Sequence, residues 1–271
     1  MEIKPGLSAL VTGGASGIGK ALCLAFAERG VAVSVVDVFE GRGNEVASLA
    51  EKLKAKKHDH SPLPPCQFIR CDVTNSFELA SAFEKHVKAY GGLDICINSA
   101  GIANPSNFYD DQTDGNQSWK RAIDVNFIAV VDCTRLSAKA MMEAKKPGVI
   151  INVGSASGLF PLPADPIYSG TKAGVVMFTR SVGFYRKKGI RVNVLCPEFV
   201  ETDLGSKVDS KLLERLGGFI PMDTIIKGVF ELITDESKAN SCLYISNRKG
   251  FEYWPSHSET VKYKVPSRIT K

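Results

Sequence analysis

The run Thr12-Gly13-Gly14-Ala15-Ser16-Gly17-Ile18-Gly19 succeeds an apolar stretch at 8–11 and opens a helical pattern at 18–29. Glycines at this junction allow a tight turn and close backbone approach. The helix start behind them presents free N–H groups and a positive dipole end to a phosphate group. Gly13, Ser16, Gly17, Ile18 and Gly19 are therefore candidate contacts for a pyrophosphate. A glycine-rich turn is a weak signal alone, and its reading depends on the pattern of the chain beyond it.

Beyond the turn, short apolar runs alternate with longer helical patterns. Strand-like stretches lie at 8–11, 32–36, 67–71, 94–97, 148–153, 191–195 and 242–245, and helix-length segments at 18–29, 77–90, 119–142 and 168–186. Near-continuous apolar strands between helices predict an α/β fold: a doubly wound parallel sheet of seven strands with helices on both faces. Ligands of such sheets sit at the carboxyl ends of strands near the switch point. The 271 residues show no compositional break before 250, so one domain over 1–250 is expected, with a C-terminal tail at 251–271. The polar, proline-ended stretch 51–65 reads as a long exposed loop, and 104–117 as another.

The second strand ends in Asp37, 24 residues after Gly13, where a carboxylate would bind ribose hydroxyls and repel a 2′-phosphate. Neither Ser16 nor Val38 is basic, so NAD is expected over NADP. Asp72 and Val73 end the third strand and could hold an adenine ring. Asn98, in Asn98-Ser99-Ala100-Gly101, ends the fourth and would line the same crevice. Asp, Asn and Gly are also turn residues, and their recurrence at successive strand ends favours the cofactor reading.

Tyr168-Ser169-Gly170-Thr171-Lys172 places a phenol and an ammonium one helical turn apart on one face. A nearby ammonium favours the phenolate, so Tyr168 is expected to act as a base below the usual tyrosine range. Ser155 precedes this pair, after the fifth strand.

Together, Thr12–Gly19, Asn98–Gly101, Asn126, Ser155 and Tyr168-xxx-Lys172 resemble the short-chain dehydrogenase/reductase family, over residues 6 to about 250. Within it the chain is similar to members of the 15-hydroxyprostaglandin dehydrogenase type, through Gly158-Leu159-Phe160-Pro161, Pro166-Ile167-Tyr168 and Cys196-Pro197-Glu198-Phe199-Val200-Glu201-Thr202. The resemblance implies Tyr168 as general acid/base and Lys172 as its electrostatic support and a ribose contact. It further implies Ser155 as the group polarising the substrate oxygen, and Asn126 as holding a water that links Lys172 to solvent. Val200 and Thr202 would orient the nicotinamide. Family members usually pair through the long helices at 119–142 and 168–186, so a homodimer or homotetramer is implied. The chain departs from the pattern in two informative places. Glu198 comes after Pro197 where glycine is usual, and Asp165 stands where prostaglandin enzymes have a substrate-touching glutamine.

The segment 205–223 carries Leu212, Leu213, Leu216, Phe219 and Ile220 at helical spacing and is read as a substrate lid, about 204–223. Phe160, Leu162, Phe199, Leu204 and Leu216 are candidate apolar pocket walls, with Asp165 beside them. The expected substrate is a small lipophilic secondary alcohol or ketone, terpenoid, steroid-like or fatty-acid-derived. Two rivals stand beside this reading: a redox-neutral cyclase or isomerase that retains NAD, and a non-catalytic NAD-binding sensor.

Composition narrows the remaining classes. The net charge of +5 is diffuse, which argues against nucleic-acid binding, and no apolar run is long enough to span a membrane. The seven cysteines form no CxxC pair and read as reduced residues of a cytoplasmic protein. No metal site is expected: His58-Asp59-His60 reads as a solvated loop, His86 as part of a polar helix and His257 as part of the tail.

Overall fold

The computed structural model describes residues 1–58, 62–103 and 118–255. Asp59, His60, the expected loop at 104–117 and His257 lie outside the described residues.

Five buried residues form β1 (Ser8–Thr12), and the glycine turn leads into α1 (Gly17–Ala27). Then come β2 (Ala32–Asp37), α2 (Glu40–Lys57), β3 (Gln67–Arg70), α3 (Ser76–Tyr90) and β4 (Ile95–Asn98). The second half begins with α4 (Ser118–Ile123), a π-helical turn at Asp124–Ile128, α5 (Ala129–Glu143) and β5 (Gly148–Val153). It continues through α6 (Pro166–Ser181), β6 (Ile190–Pro197), α7 (Ser210–Arg215), α8 (Met222–Thr234), β7 (Cys242–Ser246) and β8 (Gly250–Trp254).

The sheet order is β3-β2-β1-β4-β5-β6-β7-β8, parallel through β7. The order reverses at β1, which makes the β1/β4 junction the switch point. Alternate strand side chains feed opposite cores. Leu195, Leu243 and Ile245 pack with Phe26 of α1 and Leu232 of α8, whereas Val194, Cys196 and Cys242 pack with Val175 and Val176 of α6.

Several expectations are corrected. Among the described residues the sheet has eight strands: the eighth, β8, runs antiparallel to β7 from Ser246↔Gly250 to Cys242↔Trp254. The segment expected to begin a tail at 251 thus lies inside a strand. Its alternation is masked because all three aromatics dock: Phe251 packs on the core, Trp254 lies beneath the Arg180 guanidinium at 5.1 Å, and Tyr253 donates to Glu231 at 2.6 Å. The expected loop from 51 is helical to Lys57, because Lys54 is buried and donates to Pro64 O (2.8 Å) while Glu51 accepts from Cys66 N (2.8 Å). The helix expected at 119–142 is interrupted by the π turn, and α6 starts two residues earlier than expected and ends at Ser181. His86 is buried in the core between Ser34 Oγ (2.8 Å) and Ser8 Oγ (3.3 Å), on the inner face of α3.

Candidate active site

At the switch point the glycine turn packs against the end of β4. Gly13 has φ +66°, and a Cβ there would stand 2.8 Å from the Ala100 backbone. Thr12 fastens the same junction, its Oγ1 accepting from Ser99 N (3.2 Å) and Ala100 N (3.3 Å). Gly17 (φ +50°) opens α1, and a Cβ on it would lie 3.3 Å from Thr202 Cγ2, so this turn also faces the loop after β6. Ser16 is the N-cap of α1 without a side-chain cap bond, leaving the first-turn amides around Gly17, Ile18 and Gly19 for a ligand.

Asp37 braces this turn. Its Oδ2 accepts from Ala15 N (3.0 Å) and its Oδ1 from Phe39 N (3.2 Å), fixing the carboxylate at the β2 end with lone pairs to spare for hydroxyl donors. Arg42 of α2 is committed to the Phe39 ring (4.2 Å) and to Asp203 (3.5 Å). Thr12, Val73, Asn98 and Ala100 border one small recess at the strand ends. These residues fit an NAD-type dinucleotide, with the bare helix start for the diphosphate and the carboxylate for a ribose diol.

Not every candidate points into the crevice. The Asn98 side chain is turned inward, donating to Asn152 Oδ1 (2.7 Å) and Thr134 Oγ1 (3.3 Å), and Asn152 in turn donates to Thr179 (2.9 Å). This buried amide network ties β4, β5, α5 and α6 together, and only the Asn98 backbone is left to face a ligand. Asp72 accepts from Thr74 N (3.0 Å) and Thr74 Oγ1 (2.8 Å) and lies 3.6 Å from Arg121. Burial acts to raise its pKa, but the Thr74 bonds and the arginine outweigh it and hold the carboxyl below its ordinary value. Val73 is buried in the α3/α5 core.

The candidate reacting groups gather at the ends of β5 and β6. Ser155 caps a short 3-10 turn at Ala156–Gly158; its Oγ accepts from Ser157 N (3.1 Å) and meets Ser157 Oγ at 2.9 Å. Tyr168 stands in the first turn of α6 with Lys172 one turn on, the ammonium 5.5 Å from the phenol ring centroid. Lys172 Nζ donates to Val153 O (2.8 Å) at the end of β5. Asn126, in the π turn, is fully buried; it accepts from Ile102 N and donates to Ile102 O (both 2.8 Å), and donates to Thr171 Oγ1 (3.3 Å). The extra residue of the π turn aims this amide at the chain between β4 and α6. A Cβ on Gly101 would lie 3.4 Å from Asn126 Oδ1 and 3.6 Å from Lys172 Nζ, so the two residues flank one space.

The electrostatics differ from the expectation that Lys172 brings the phenol down. Burial pushes Tyr168 up to about 12, against the lowering effect of its hydrogen bond with Ser155. Burial also pulls Lys172 down to about 8. Both charged forms are disfavoured by desolvation, Lys172 being buried against the β5 end and Tyr168 half-buried beside it. The site is one in which phenolate and ammonium need further stabilisation by whatever occupies the crevice.

Asp165, expected at the substrate, is the N-cap of α6: its Oδ1 accepts from Tyr168 N at 2.9 Å, with Pro166 at the first helical position. Phe160 is half exposed and stacks edge-on against Tyr244, ring centroids 5.6 Å apart. Leu162 N donates to Ser169 Oγ (3.2 Å), placing this loop over the start of α6. Phe199 O accepts from Ile220 N (2.8 Å), and Val200 pairs with Ile220 in an isolated parallel bridge. Thr202 Oγ1 accepts from Gly205 N (3.1 Å). Leu204 is exposed and Leu216, which ends α7, is half-buried. The segment read as one amphipathic lid is a short α7, a turn through Gly217 and Gly218, and the start of α8. Sequence reading missed Thr12, Thr171 and Tyr244, whose partners are remote in the chain.

Comparison with known proteins is decisive for family. Residues 8–213 match the short chain dehydrogenase family. The chain is 30% identical to mouse 15-hydroxyprostaglandin dehydrogenase (NAD(+)), over 96% of this chain and 97% of that protein. It is 30% identical to a 3beta-hydroxysteroid dehydrogenase of Mediterraneibacter gnavus, covering 88% and 87% respectively. It is 31% identical to a 2,5-dichloro-2,5-cyclohexadiene-1,4-diol dehydrogenase of Sphingobium indicum, covering 86% and 91%. A crystal structure of a short-chain type dehydrogenase/reductase from Mycobacterium marinum aligns with TM-score 0.79 and 25% identity, over 90% of this chain and 96% of that one. The fold agrees with these likenesses: the chain belongs to the short chain dehydrogenase family and is an NAD-dependent oxidoreductase of it.

Proposed function

We propose that the protein interconverts a small lipophilic secondary alcohol and its ketone, with Tyr168 exchanging the hydroxyl proton. The observation that carries this reading is the convergence of Ser155, Tyr168 and Lys172 at the β5 end, across the crevice from the bare start of α1. The three curated relatives named above are dehydrogenases of hydroxylated compounds by name.

NAD, when bound, supplies the hydride acceptor. The chain's own residues do the rest. Ser155 Oγ donates to the substrate oxygen and steers it toward Tyr168 Oη. Tyr168 takes the hydroxyl proton during oxidation, which requires its phenolate. Lys172 stabilises that phenolate and contacts the nicotinamide ribose. Asn126 holds the chain at Ile102 and Thr171, and the space it shares with Lys172 and Gly101 is suited to a water relaying the proton outward. Gly13, Ser16, Gly17, Ile18 and Gly19 hold the diphosphate, Asp37 the adenosine ribose, the Asp72–Val73 and Asn98 strand ends the adenine side, and Val200 and Thr202 the carboxamide. Phe160, Leu162, Phe199, Leu204 and Leu216 line the substrate side, and the segment about 204–223 closes over it. Oxidation is the favoured direction, because cytoplasmic NAD is mostly oxidised. Exposed Ile128 and Met142 around α5 and Met177 on α6 support pairing of two chains through these helices, as a dimer or tetramer.

The test is NADH formation, followed by absorbance, with a panel of lipophilic secondary alcohols and NAD or NADP. Turnover with NAD is expected, falling at least ~100-fold in Tyr168→Phe while NAD binding persists. Substrate conversion without NADH formation would move the reading to a redox-neutral reaction. Preference for NADP would overturn the role given to Asp37.

A further inference from the structure

Beyond the reacting atoms, the ends of β6 and β7 carry an acid–phenol pair with unused hydrogen-bonding capacity. Glu198 comes directly after Pro197, and its amide donates to Ile245 O at 3.0 Å, which fixes its backbone to β7. Its Oε1 accepts from the Tyr244 hydroxyl at 2.5 Å. Among the described residues its second oxygen, Oε2, has no hydrogen-bond or ion-pair partner. Glu198 is half-buried, so that oxygen is neither neutralised by the protein nor fully surrendered to water.

The position of the pair comes from strand periodicity. Cys196 and Tyr244 are register partners. Cys196 and Cys242 share the face that packs on α6, their sulfurs 3.6 Å apart. Tyr244 lies two residues past Cys242 on that face, and Glu198 lies one strand repeat past Cys196, about 6.5 Å further toward the carboxyl ends. That is the helix carrying Tyr168 and Lys172, and Cys196 is close enough to both to perturb their charges. Phe160, in the loop that leaves Ser155, touches the Tyr244 ring and forms the apolar flank. A carboxylate oxygen therefore stands at the carboxyl ends of β6 and β7, next to the apolar ring of Phe160 in the loop that leaves Ser155.

We propose that Glu198, held by Tyr244, is a specificity-determining residue that accepts a hydrogen bond from a second donor group of the substrate, a hydroxyl or an ammonium remote from the reacting carbon. This rests on the alcohol-oxidising reading above. A half-buried acceptor without a protein partner is satisfied by such a donor, and an analogue lacking the donor leaves it unpaired. Burial and the carboxylate both push the Tyr244 phenol up, to about 12, so Tyr244 stays a donor and keeps Oε1 occupied while Oε2 is free for the ligand.

The probes are 2-hexanol, 1,5-hexanediol and 6-amino-2-hexanol, titrated calorimetrically into the full chain complexed with NADH, with NADH formation from NAD measured in parallel. The wild type is expected to bind at least one of the two bifunctional probes roughly tenfold tighter than 2-hexanol. Glu198→Gly should erase that ratio and Tyr244→Phe should reduce it, NADH binding serving as the check that each variant is folded. Glu198→Gln separates the donors: preference for the diol surviving in it assigns a hydroxyl, and preference for the amine lost in it assigns an ammonium. Equal affinity for all three probes in the wild type, or a preference that survives Glu198→Gly, overturns the inference. A Glu198-dependent binding preference without NADH formation keeps the donor-accepting role of Glu198 and overturns the alcohol-oxidising reading; NADH formation without any preference overturns the inference and keeps that reading.

Discussion

Lys172 is held where its charge is disfavoured, and this has a measurable consequence for stability. Its folded pKa is lowered from 10.5 to about 8 by burial. Between those values the unfolded chain binds the extra proton, so stability rises as pH rises through that window, and the penalty is fully present below pH 8. At ~1.4 kcal/mol per pKa unit the penalty is about 3 kcal/mol. Lys172→Met should therefore be more stable than wild type at pH 7, less what it loses in the bond to Val153 O, and the gap should shrink toward pH 10. Urea unfolding at pH 7, 8.5 and 10 measures it, and a gap independent of pH would contradict the depressed lysine. Tyr168, raised from 10.0 to about 12, destabilises only above pH 10, outside that range. Under the proposed function, both groups are kept in place at the expense of the fold. Their pairing was legible from a four-residue spacing, but the direction of their pKa shifts was not, because burial is a property of the packed site.

At the scale of elements, α6 decides where the Tyr168 phenol stands, and Asp165 decides where α6 begins. Asp165-Pro166 with Tyr168 close behind is an N-cap and first-turn proline signature, legible in the residues themselves. The resemblance to enzymes with a substrate-touching glutamine pointed to the pocket instead. Asp165→Ala should cost about 1 kcal/mol in thermal or urea unfolding and impair turnover by loosening the first turn. Asp165→Asn keeps a capping oxygen and removes a charge that raises Tyr168. It should retain stability while shifting the rising, low-pH limb of the pH–rate profile for oxidation to lower pH. If both variants have wild-type stability, the cap is not what fixes the start of α6.

At the scale of the whole molecule, one buried imidazole links sheet and helix layers far from the site. His86 Nδ1 meets Ser34 Oγ of β2 and Nε2 meets Ser8 Oγ of β1, with Tyr90 edge-on at 5.0 Å. Burial lowers its pKa from 6.5 to about 3. The unfolded chain then binds the extra proton between these values, so the stabilisation is complete above pH 6.5 and is lost as pH falls toward 3. Urea unfolding of the wild type should weaken by ~1.4 kcal/mol per unit well below pH 6.5, and His86→Gln should remove that share of the slope. An unchanged slope between pH 6 and 4.5 would show that His86 is protonated in the folded chain. A polar helix pattern gave no hint of this, because one face of α3 is polar and the histidine occupies the other.

Local chemistry made much of this protein readable from its residues. Glycines mark a phosphate-binding turn because no side chain fits at Gly13, apolar runs mark strands covered on both faces, and Tyr168 and Lys172 share a helix face by pitch alone. Tertiary structure decided everything that depends on partners distant in the chain. It turned Asn98 into the core through Asn152 and Thr134, buried His86, and raised Tyr168 while lowering Lys172. It also docked an eighth strand and set Glu198 against Tyr244 at the pocket wall. The physical reason is the same in each case: hydrogen bonding and desolvation depend on which groups the sheet brings together, and strand order is a long-range property that no local pattern encodes.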